Sequence, residues 1–536
     1  MTRAKTKKTK LRPLIVTGTL ALDLVKENVM KSEIKSRVIS LPIHVAALIN
    51  TKYIAKSLKS MNLGGVDIIL IPGMAFGDSS VITATTGLPA FKGPKFAADL
   101  PIILNNLAEV PLSTTMPACE LMQERLRKSI LSELSIVEKR EREKIKKGKA
   151  ILVGKRSKKV WIGRGLGPRI LAEIVDAPKL ADNKIGELAR YYVDSGADII
   201  DVGMLSEKSE PEEIRRILSV VRKAVDNPIS IDTSDVDEIK VAFEEEVDLV
   251  LSINAQNMEE VSKFARDTPV VVTPVNMHGM CPNDVSERVD QLERNLRATN
   301  SLGFKKIIAD PILNPPFSPS LTNSISGYIE FARRDPSIPI LFGLGNVTEL
   351  LDCDSIGVNL LLTSFGLELG IGLILVTEAS NKTRGCVKEI STAVDMAVLA
   401  KNRKGPPKDL GLNLLRLKEK RRLEEIYNDE VESKVEIIRT RARAKTTYDR
   451  KGHFKIMIDR KGKKIVVIHY RFRDHKPDIM FKGTDPQSIY ESILERGLIS
   501  EMEHACYLGI ELSKAKEALS TDKSYVQDRP LFNKSI

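Results

Sequence analysis

Acidic and amide side chains recur along the middle of this 536-residue chain, each at the end of a short apolar stretch. Carboxylates accept hydrogen bonds and amides both donate and accept them, so several together can bind a flat heterocycle that alternates donors and acceptors. Such binding is selective because an unpaired buried carboxylate is costly. A single Asp at a strand end more often caps the next helix, but a set that includes amides is less easily explained by capping. The candidates are Asp201, Asp232, Asn254, Asp310 and Asn346.

These candidates fall within a regular alternation of strand and helix patterns. Eight β-then-α units in about 230 residues are typical of a (β/α)8 barrel, although an open doubly wound sheet could also hold eight strands. In a barrel the carboxyl ends of all strands meet at one mouth, so we expect the polar side chains to converge there. The predicted strands span residues 169–175, 198–203, 228–232, 248–254, 269–274, 306–310, 339–343 and 372–376.

The sequence on either side of the barrel predicts further domains, giving an α/β chain with four parts. Residues 1–112 alternate strands and helices, which indicates a small domain with a parallel sheet. Residues 113–168 read as a charged helical linker followed by a hairpin, and residues 169–404 form the barrel. Residues 405–536 predict a polar helix over 413–445 and a small α+β domain, with a hairpin at 453–470 and helices at 486–496 and 501–519.

Composition and charge argue against several classes of protein. The net charge of +12 would suit nucleic acid, but the basic excess is confined to three stretches and aromatic residues make up only 5%, so few side chains could stack on bases. We interpret the basic stretches as solvated helix faces and linkers. No Cys or His cluster has metal-ligand spacing, which predicts no transition-metal site. Five cysteines without paired spacing and no apolar run that could span a membrane predict a cytoplasmic protein.

The strand-end stretches resemble the pterin-binding superfamily, which contains dihydropteroate synthases and methyltetrahydrofolate-type methyltransferases. Each stretch alone is weak evidence, while their order and spacing together are specific. The whole arrangement also resembles the archaeal dihydropteroate-synthase-related proteins, which carry extra domains on both sides of the barrel. The matching stretches are Gly196 to Gly203, Pro228 to Thr233, Ser252 to Asn254 and Ile307 to Pro311.

The resemblance implies a role for each matched residue. Asp310 would bind the amino-pyrimidinone edge of a reduced pterin, and Asp232 and Asn254 would bind its other ring nitrogens. Asp201 would lie next to these pterin-binding side chains and help to position them. Asn346 lies in a Gly-x-x-Asn run that resembles the methyltransferase branch, where this amide contacts ring nitrogen-5. The resemblance thus makes Asn346 and Asp232 the candidate catalytic residues.

Two stretches depart from the synthase pattern. The synthase runs after strands one and seven, which serve magnesium, the diphosphate leaving group and the pterin, are replaced here by Ala172 to Pro178 and by Gly345 to Thr348. The need for magnesium is therefore left open. Lys382 and Arg384 lie where synthases bind phosphate; they could hold an anionic group or simply flank a helix.

The resulting hypothesis is a pterin-dependent transferase. Its cofactor would be a reduced pterin of the tetrahydrofolate or tetrahydromethanopterin type, and methyl or one-carbon transfer is favoured. Two alternatives stay open, a dihydropteroate synthase that joins hydroxymethyl-dihydropterin diphosphate to an aryl amine, and a non-catalytic pterin-binding or scaffold protein. A corrinoid or other acceptor protein, and a second copy of the chain, are the partners that would fit.

Overall fold

The structure is a computed structural model. It describes residues 11–46, 49–107, 112–144, 150–156, 158–205, 208–418, 438, 449–472 and 476–532. The chain divides into two compact units, residues 1–420 and residues 421–536. The domain bounds drawn from the sequence remain a prediction.

The first unit begins with a parallel sheet in the strand order β2-β1-β3-β4. Its strands are almost continuously apolar, as expected for parallel strands covered on both faces. The strands are β1 (Pro13–Gly18), β2 (Arg37–Leu41), β3 (Ile68–Ile71) and β4 (Ala90–Lys92), and the helices are α1 (Leu22–Met30), α2 (Thr51–Lys59), α3 (Ser80–Thr86) and α4 (Leu100–Asn105).

A helical segment and a hairpin lead from this sheet to the barrel. They comprise α5 (Ala118–Leu121), α6 (Gln123–Lys144), and the antiparallel strands β5 (Ala150–Val153) and β6 (Val160–Gly163). The apolar side chains of the hairpin belong to the same buried cluster as Leu171, Ile199 and Leu373 of the barrel strands. The hairpin therefore closes the amino-terminal end of the barrel and leaves the carboxyl-terminal end as its mouth.

The barrel is built from eight parallel strands in the order β12-β11-β10-β9-β8-β7-β14-β13. A parallel bridge between Ala309 and Ile340 joins β12 to β13 and nearly closes the circle. The predicted (β/α)8 fold is thus confirmed. The strands are β7 (Arg169–Ile174), β8 (Ile199–Gly203), β9 (Ile229–Asp232), β10 (Leu249–Ile253), β11 (Val270–Val272), β12 (Ile307–Ala309), β13 (Leu341–Gly343) and β14 (Leu373–Thr377).

Helices surround the strands because their apolar faces are buried against the outward-facing strand residues, which form the largest apolar cluster of the described chain. Several begin at a side-chain cap, as where Asp235 accepts a hydrogen bond from the backbone of Glu238. They are α7 (Asp182–Ser195), α8 (Pro211–Ala224), α9 (Val236–Glu244), α10 (Met258–Ser262), α11 (Val285–Ser301), α12 (Leu321–Arg334), α13 (Gly345–Thr348), α14 (Ser355–Leu369) and α15 (Cys386–Arg403).

The second unit is a small α+β domain. Its antiparallel sheet consists of β15 (Gly452–Asp459), β16 (Lys464–Arg471) and β17 (Pro477–Gly483), and α16 (Pro486–Glu495) and α17 (Met502–Thr521) cover one face. The hairpin and both helices were predicted, and the third strand was not. Of the predicted polar helix at 413–445, residues 413–418 are described and are not helical, while the remainder except residue 438 lies outside the described residues. Asn413 accepts a hydrogen bond from the backbone of Leu415, a local turn that competes with a helix.

Candidate functional site

The alternation of side chains along the barrel strands stacks a polar layer above an apolar one. Successive residues of a strand point to opposite faces, so every second residue faces the interior. Leu171, Ile199 and Ile308 lie in the interior apolar cluster. The residues two positions further along the same strands are Glu173, Asp201 and Asp310. The mouth of the barrel is therefore lined by carboxyl groups.

Asp310 is held in place by two hydrogen bonds. Its Oδ1 accepts from the backbone nitrogen of Ile312 at 2.8 Å and from the hydroxyl of Tyr328 at 2.8 Å. Tyr328 is fully buried and meets the ring of Phe342 edge-on. Burial raises the pKa of Asp310 to about 6, against these two hydrogen bonds and the charge of Arg288, which lower it. Asp310 is therefore a fixed carboxylate at neutral pH and can accept hydrogen bonds from a ligand.

Asp232 and Asp201 lie on neighbouring strands. Burial and the negative charge of Asp310 raise the pKa of Asp232 to about 6. Asp201 lies deeper, fully buried within β8, and the hydroxyl of Ser230 donates to its Oδ1 at 2.5 Å. Burial and the charges of Asp232 and Glu173 raise the pKa of Asp201 well above its ordinary value. These acidic groups therefore repel one another in a water-poor site.

The side chains of Asn254 and Asn346 each form a hydrogen bond with the backbone. Asn254 is buried, and its Oδ1 accepts from the backbone of Gln256 at 2.9 Å. Asn346 is exposed in α13, and its Nδ2 donates to the carbonyl of Leu313 at 3.2 Å. Because Leu313 follows Asp310 by three residues, this bond links the loops after β12 and β13. The pterin contacts expected of both amides remain predictions.

The anion-binding prediction concerns Lys382 and Arg384, which are both exposed. The Nζ of Lys382 lies 2.9 Å from Oδ1 of Asp352, whose side chain is 98% exposed. Such a surface ion pair is worth about 1 kcal/mol or less, so an anionic ligand could displace Asp352. The role of the two basic residues remains a prediction.

Glu173 is a further member of the site that the sequence did not single out. Its pKa is raised to about 8 by burial and by the charges of Asp232, Asp176 and Glu349. The signal in the sequence was a charged residue near the end of a strand whose other residues after Arg169 are apolar, on the same face as Leu171. The stretch Ala172 to Pro178 was noted only for lacking the synthase pattern.

The raised pKa of Glu173 predicts that the ligand-free protein loses stability as the pH rises. The folded state binds the proton of Glu173 more tightly than the unfolded state does. The resulting stabilisation is fully present below the ordinary pKa of 4.5 and is lost as the pH rises to about 8. One pKa unit corresponds to about 1.4 kcal/mol, so the effect should reach a few kcal/mol. Thermal unfolding across this range measures it. Glu173→Gln should unfold at a higher temperature than wild type above about pH 7; a variant with the same pH dependence as wild type would contradict the expectation.

Comparisons with known proteins find family matches in three separate stretches of the chain. The family model for pterin binding enzymes matches residues 176–357. A family of unknown function (DUF6513) matches residues 12–95, and the PterinBD-DUF4346 family matches residues 448–528. An uncharacterized protein of Methanocaldococcus jannaschii is 37% identical over 538 residues, covering 97% of this chain and 99% of the relative.

Similar solved structures include two dihydropteroate synthases. The enzyme of Yersinia pestis, bound to a pterin–sulfa conjugate, is 18% identical with a TM-score of 0.38 and covers 47% of this chain and 100% of its own. The enzyme of Thermus thermophilus is 20% identical with a TM-score of 0.37 and covers 46% of this chain and 97% of its own.

In the part of the chain that the structure describes, no helix has the length and apolar character to cross a membrane.

Proposed function

The chain belongs to the pterin-binding superfamily, in one family with the Methanocaldococcus jannaschii protein, and on that premise we propose that its barrel transfers a methyl or other one-carbon group from a reduced pterin. The pterin would be of the tetrahydrofolate or tetrahydromethanopterin type. Asp232, Asn254 and Asp310 would bind its ring, and the acceptor would be a corrinoid or a thiol, free or carried by a partner protein.

The observation that carries this proposal is the acidic character of the mouth. Glu173, Asp201, Asp232, Asp310 and Glu349 act on one another's pKa values across the barrel opening. A reduced pterin presents N–H groups on its amino-pyrimidinone edge, and ionised carboxylates are strong acceptors for them. A diphosphate group would instead bring more negative charge into this acidic, poorly solvated opening, where like charges repel strongly. The charge pattern therefore supports one-carbon transfer over synthase chemistry.

Parallel assays test the proposal. In one, the protein is mixed with N5-methyl-tetrahydrofolate and with free cob(I)alamin or homocysteine, and loss of the methyl-pterin is followed. In the other, hydroxymethyl-dihydropterin diphosphate and p-aminobenzoate are supplied, and diphosphate release is followed. Methyl transfer alone would support the proposal. Diphosphate release without methyl transfer would replace it by the synthase reaction, and binding without either reaction would indicate a pterin-binding protein that is not an enzyme.

The basic pair near the mouth gives a separate prediction. We propose that Lys382 interacts with the carboxylate tail of a folate, so Lys382→Ala should weaken tetrahydrofolate binding by about three- to tenfold, as expected for one exposed ion pair. Binding of tetrahydropterin, which has no tail, should not change. Asp352→Ala is the matched control, because it releases Lys382 from its ion pair and should leave tail binding intact or stronger. Equal losses for both ligands in Lys382→Ala would contradict this role. Calorimetry with both ligands makes the comparison.

A further inference from the structure

The Glu173 side chain extends from the end of β7 over the neighbouring strand. A β-carbon built on Gly203 of β8 would lie 2.4 Å from Oε1 of Glu173, which is too close for two atoms that are not bonded. The absence of a side chain at position 203 therefore makes room for this carboxyl group at the mouth. Because the φ angle of Gly203 is not in the left-handed region, the backbone alone does not require glycine there.

Glu173 lies in a tight group with two other carboxyls. The oxygen atoms that Glu173, Asp201 and Asp232 offer one another all lie within 4.8 Å. Asp201 is fully buried, and its Oδ2 has no hydrogen-bond partner among the described residues. Three carboxylates so close in a low-dielectric site cannot all be ionised, because each charge disfavours the others. The group must therefore take up positive charge, as protons or as a cation.

The charged groups that act on Glu173 from every side are acidic. Asp232 acts from β9, Asp176 from the loop after β7, and Glu349 from the segment after β13, and each of them raises the pKa of Glu173. Glu173 in turn raises the pKa values of Asp201 on β8 and of Tyr192 on α7. No basic group is among the causes acting on the pKa of Glu173, so nothing in this described environment favours its ionised form.

We propose that Glu173 is the acid of the site, which holds a proton at neutral pH and donates it to the ring nitrogen of the bound pterin that loses the methyl group. This inference rests on the proposed methyl transfer. The proton of Glu173 adds to the methyl-bearing nitrogen, and an electron pair of the acceptor, a thiolate or a cobalt(I) corrinoid, forms the new bond to the methyl carbon. The carbon–nitrogen bond breaks with its electron pair on nitrogen, and the Glu173 carboxylate regains a proton from water.

Glu173 suits this role better than its two neighbours. Asp201 is completely buried and already accepts from Ser230, so a ligand cannot reach it easily. Asp232 has a pKa of about 6 and is ionised at neutral pH, which makes it an acceptor. Glu173 is partly accessible at the strand end, and a general acid works best when its pKa lies near the working pH.

An infrared measurement on the full-length, ligand-free protein tests the protonation. The difference spectrum between wild type and Glu173→Gln should contain the carbonyl band of a carboxylic acid at about pH 6.5, and this band should give way to carboxylate bands by about pH 9.5. Carboxylate bands throughout that range would overturn the inference. So would loss of the acid band on adding millimolar MgCl2 at pH 6.5, because a bound cation would then take the place of the proton.

Rates of a single methyl transfer from N5-methyl-tetrahydrofolate to cob(I)alamin test the donation. Glu173→Gln should lower the rate by about 100-fold, remove the decline of the wild-type rate above about pH 8, and leave the affinity for the methyl-pterin within about threefold. Glu173→Asp, which keeps an acid, should recover part of the rate. Asp198→Asn is the matched control, since Asp198 is a half-buried acid that lies just before β8, at the opposite end from the mouth, and accepts a hydrogen bond from the backbone of Ile170.

Gly203→Ala provides a second variant, because it keeps the acid but forces its carboxyl group to move. We expect a rate loss of about tenfold or more in this variant. If the wild type transfers the methyl group and Glu173→Gln does so at the same rate, the role of Glu173 is overturned while the proposed function stands. If Glu173→Gln does not fold, an unchanged rate in Gly203→Ala has the same consequence. A wild type that binds the pterin without transferring its methyl group would overturn the proposed function, and with it the role of Glu173 as donor.

Discussion

Replacing Asp310 by asparagine should weaken the binding of a reduced pterin by about 100-fold, and replacing it by alanine should abolish measurable binding. The carboxylate is fixed by the backbone of Ile312 and the hydroxyl of Tyr328, so its free oxygen is already oriented for a ligand. Asparagine keeps an oxygen for both internal donors but loses the negative charge and presents an amide donor to the N–H groups of the pterin. Alanine also leaves the buried Tyr328 hydroxyl without its acceptor.

Calorimetry with tetrahydropterin and tetrahydrofolate measures this effect. Asp198→Asn is a suitable control, because it neutralises another half-buried acid that accepts a backbone hydrogen bond, from Ile170. Asp310→Asn and Asp198→Asn should both give the wild-type circular dichroism spectrum. An affinity for Asp310→Asn within about threefold of wild type, a difference of less than 1 kcal/mol, would show that the pterin does not use this carboxylate. Such a result would remove the main support for the proposed ring-binding residues.

Wild-type binding should itself depend on pH in a direction that follows from the acids at the mouth. The pKa values of Asp232 and Asp310 are both raised to about 6, so both carboxylates become protonated as the pH falls through 6. Protonation removes the charge that strengthens their hydrogen bonds to ligand N–H groups. Pterin affinity should therefore fall on acidification, whereas the ligand-free fold becomes more stable. The opposite signs separate an effect on the site from an effect on folding.

The barrel could be predicted from the sequence because its strands are short, apolar and regularly spaced. The stretch predicted at 198–203 became β8 (Ile199–Gly203), and the one at 228–232 became β9 (Ile229–Asp232). The strand β17 escaped prediction for the opposite reason. It is an edge strand that begins with Pro477 and has no buried residue. Its apolar residues are confined to the short run Ile479 to Phe481, which is too short to show the alternation by which a half-buried strand is identified.

The depth of each acid in the barrel was harder to predict than its presence. Asp201 and Asp310 stand in similar sequence patterns, yet Asp201 is fully buried within its strand while Asp310 lies just past the end of β12. The register between strands also decides which acids become neighbours, since Glu173 pairs with Asp201 and Gly203 pairs with Asp232. That register depends on contacts between distant segments and cannot be obtained from the pattern of one strand. The proximity of Glu173 to Asp232 was missed for this reason.

Replacing Asn346 by alanine should lower the rate of methyl transfer by about 100-fold and leave the affinity for N5-methyl-tetrahydrofolate within about threefold. As the methyl group leaves, the electron pair of the carbon–nitrogen bond moves onto the ring nitrogen, and an amide donor strengthens its hydrogen bond to this nitrogen as the electron density there grows. Binding the ground state makes little use of this contact.

In the ligand-free protein the Nδ2 of Asn346 donates to the carbonyl of Leu313, and Leu313 lies in the segment that follows Asp310. The amide would therefore have to exchange this bond for one to the pterin, and the exchange fits a contact that gains strength only during the reaction. Asn346→Asp provides the sharper comparison, because it keeps the size of the side chain but replaces the donor by a carboxylate. It should be at least as slow as Asn346→Ala at neutral pH and should regain rate as the pH falls, whereas a residue that only holds the loop would give nearly equal rates at all pH values.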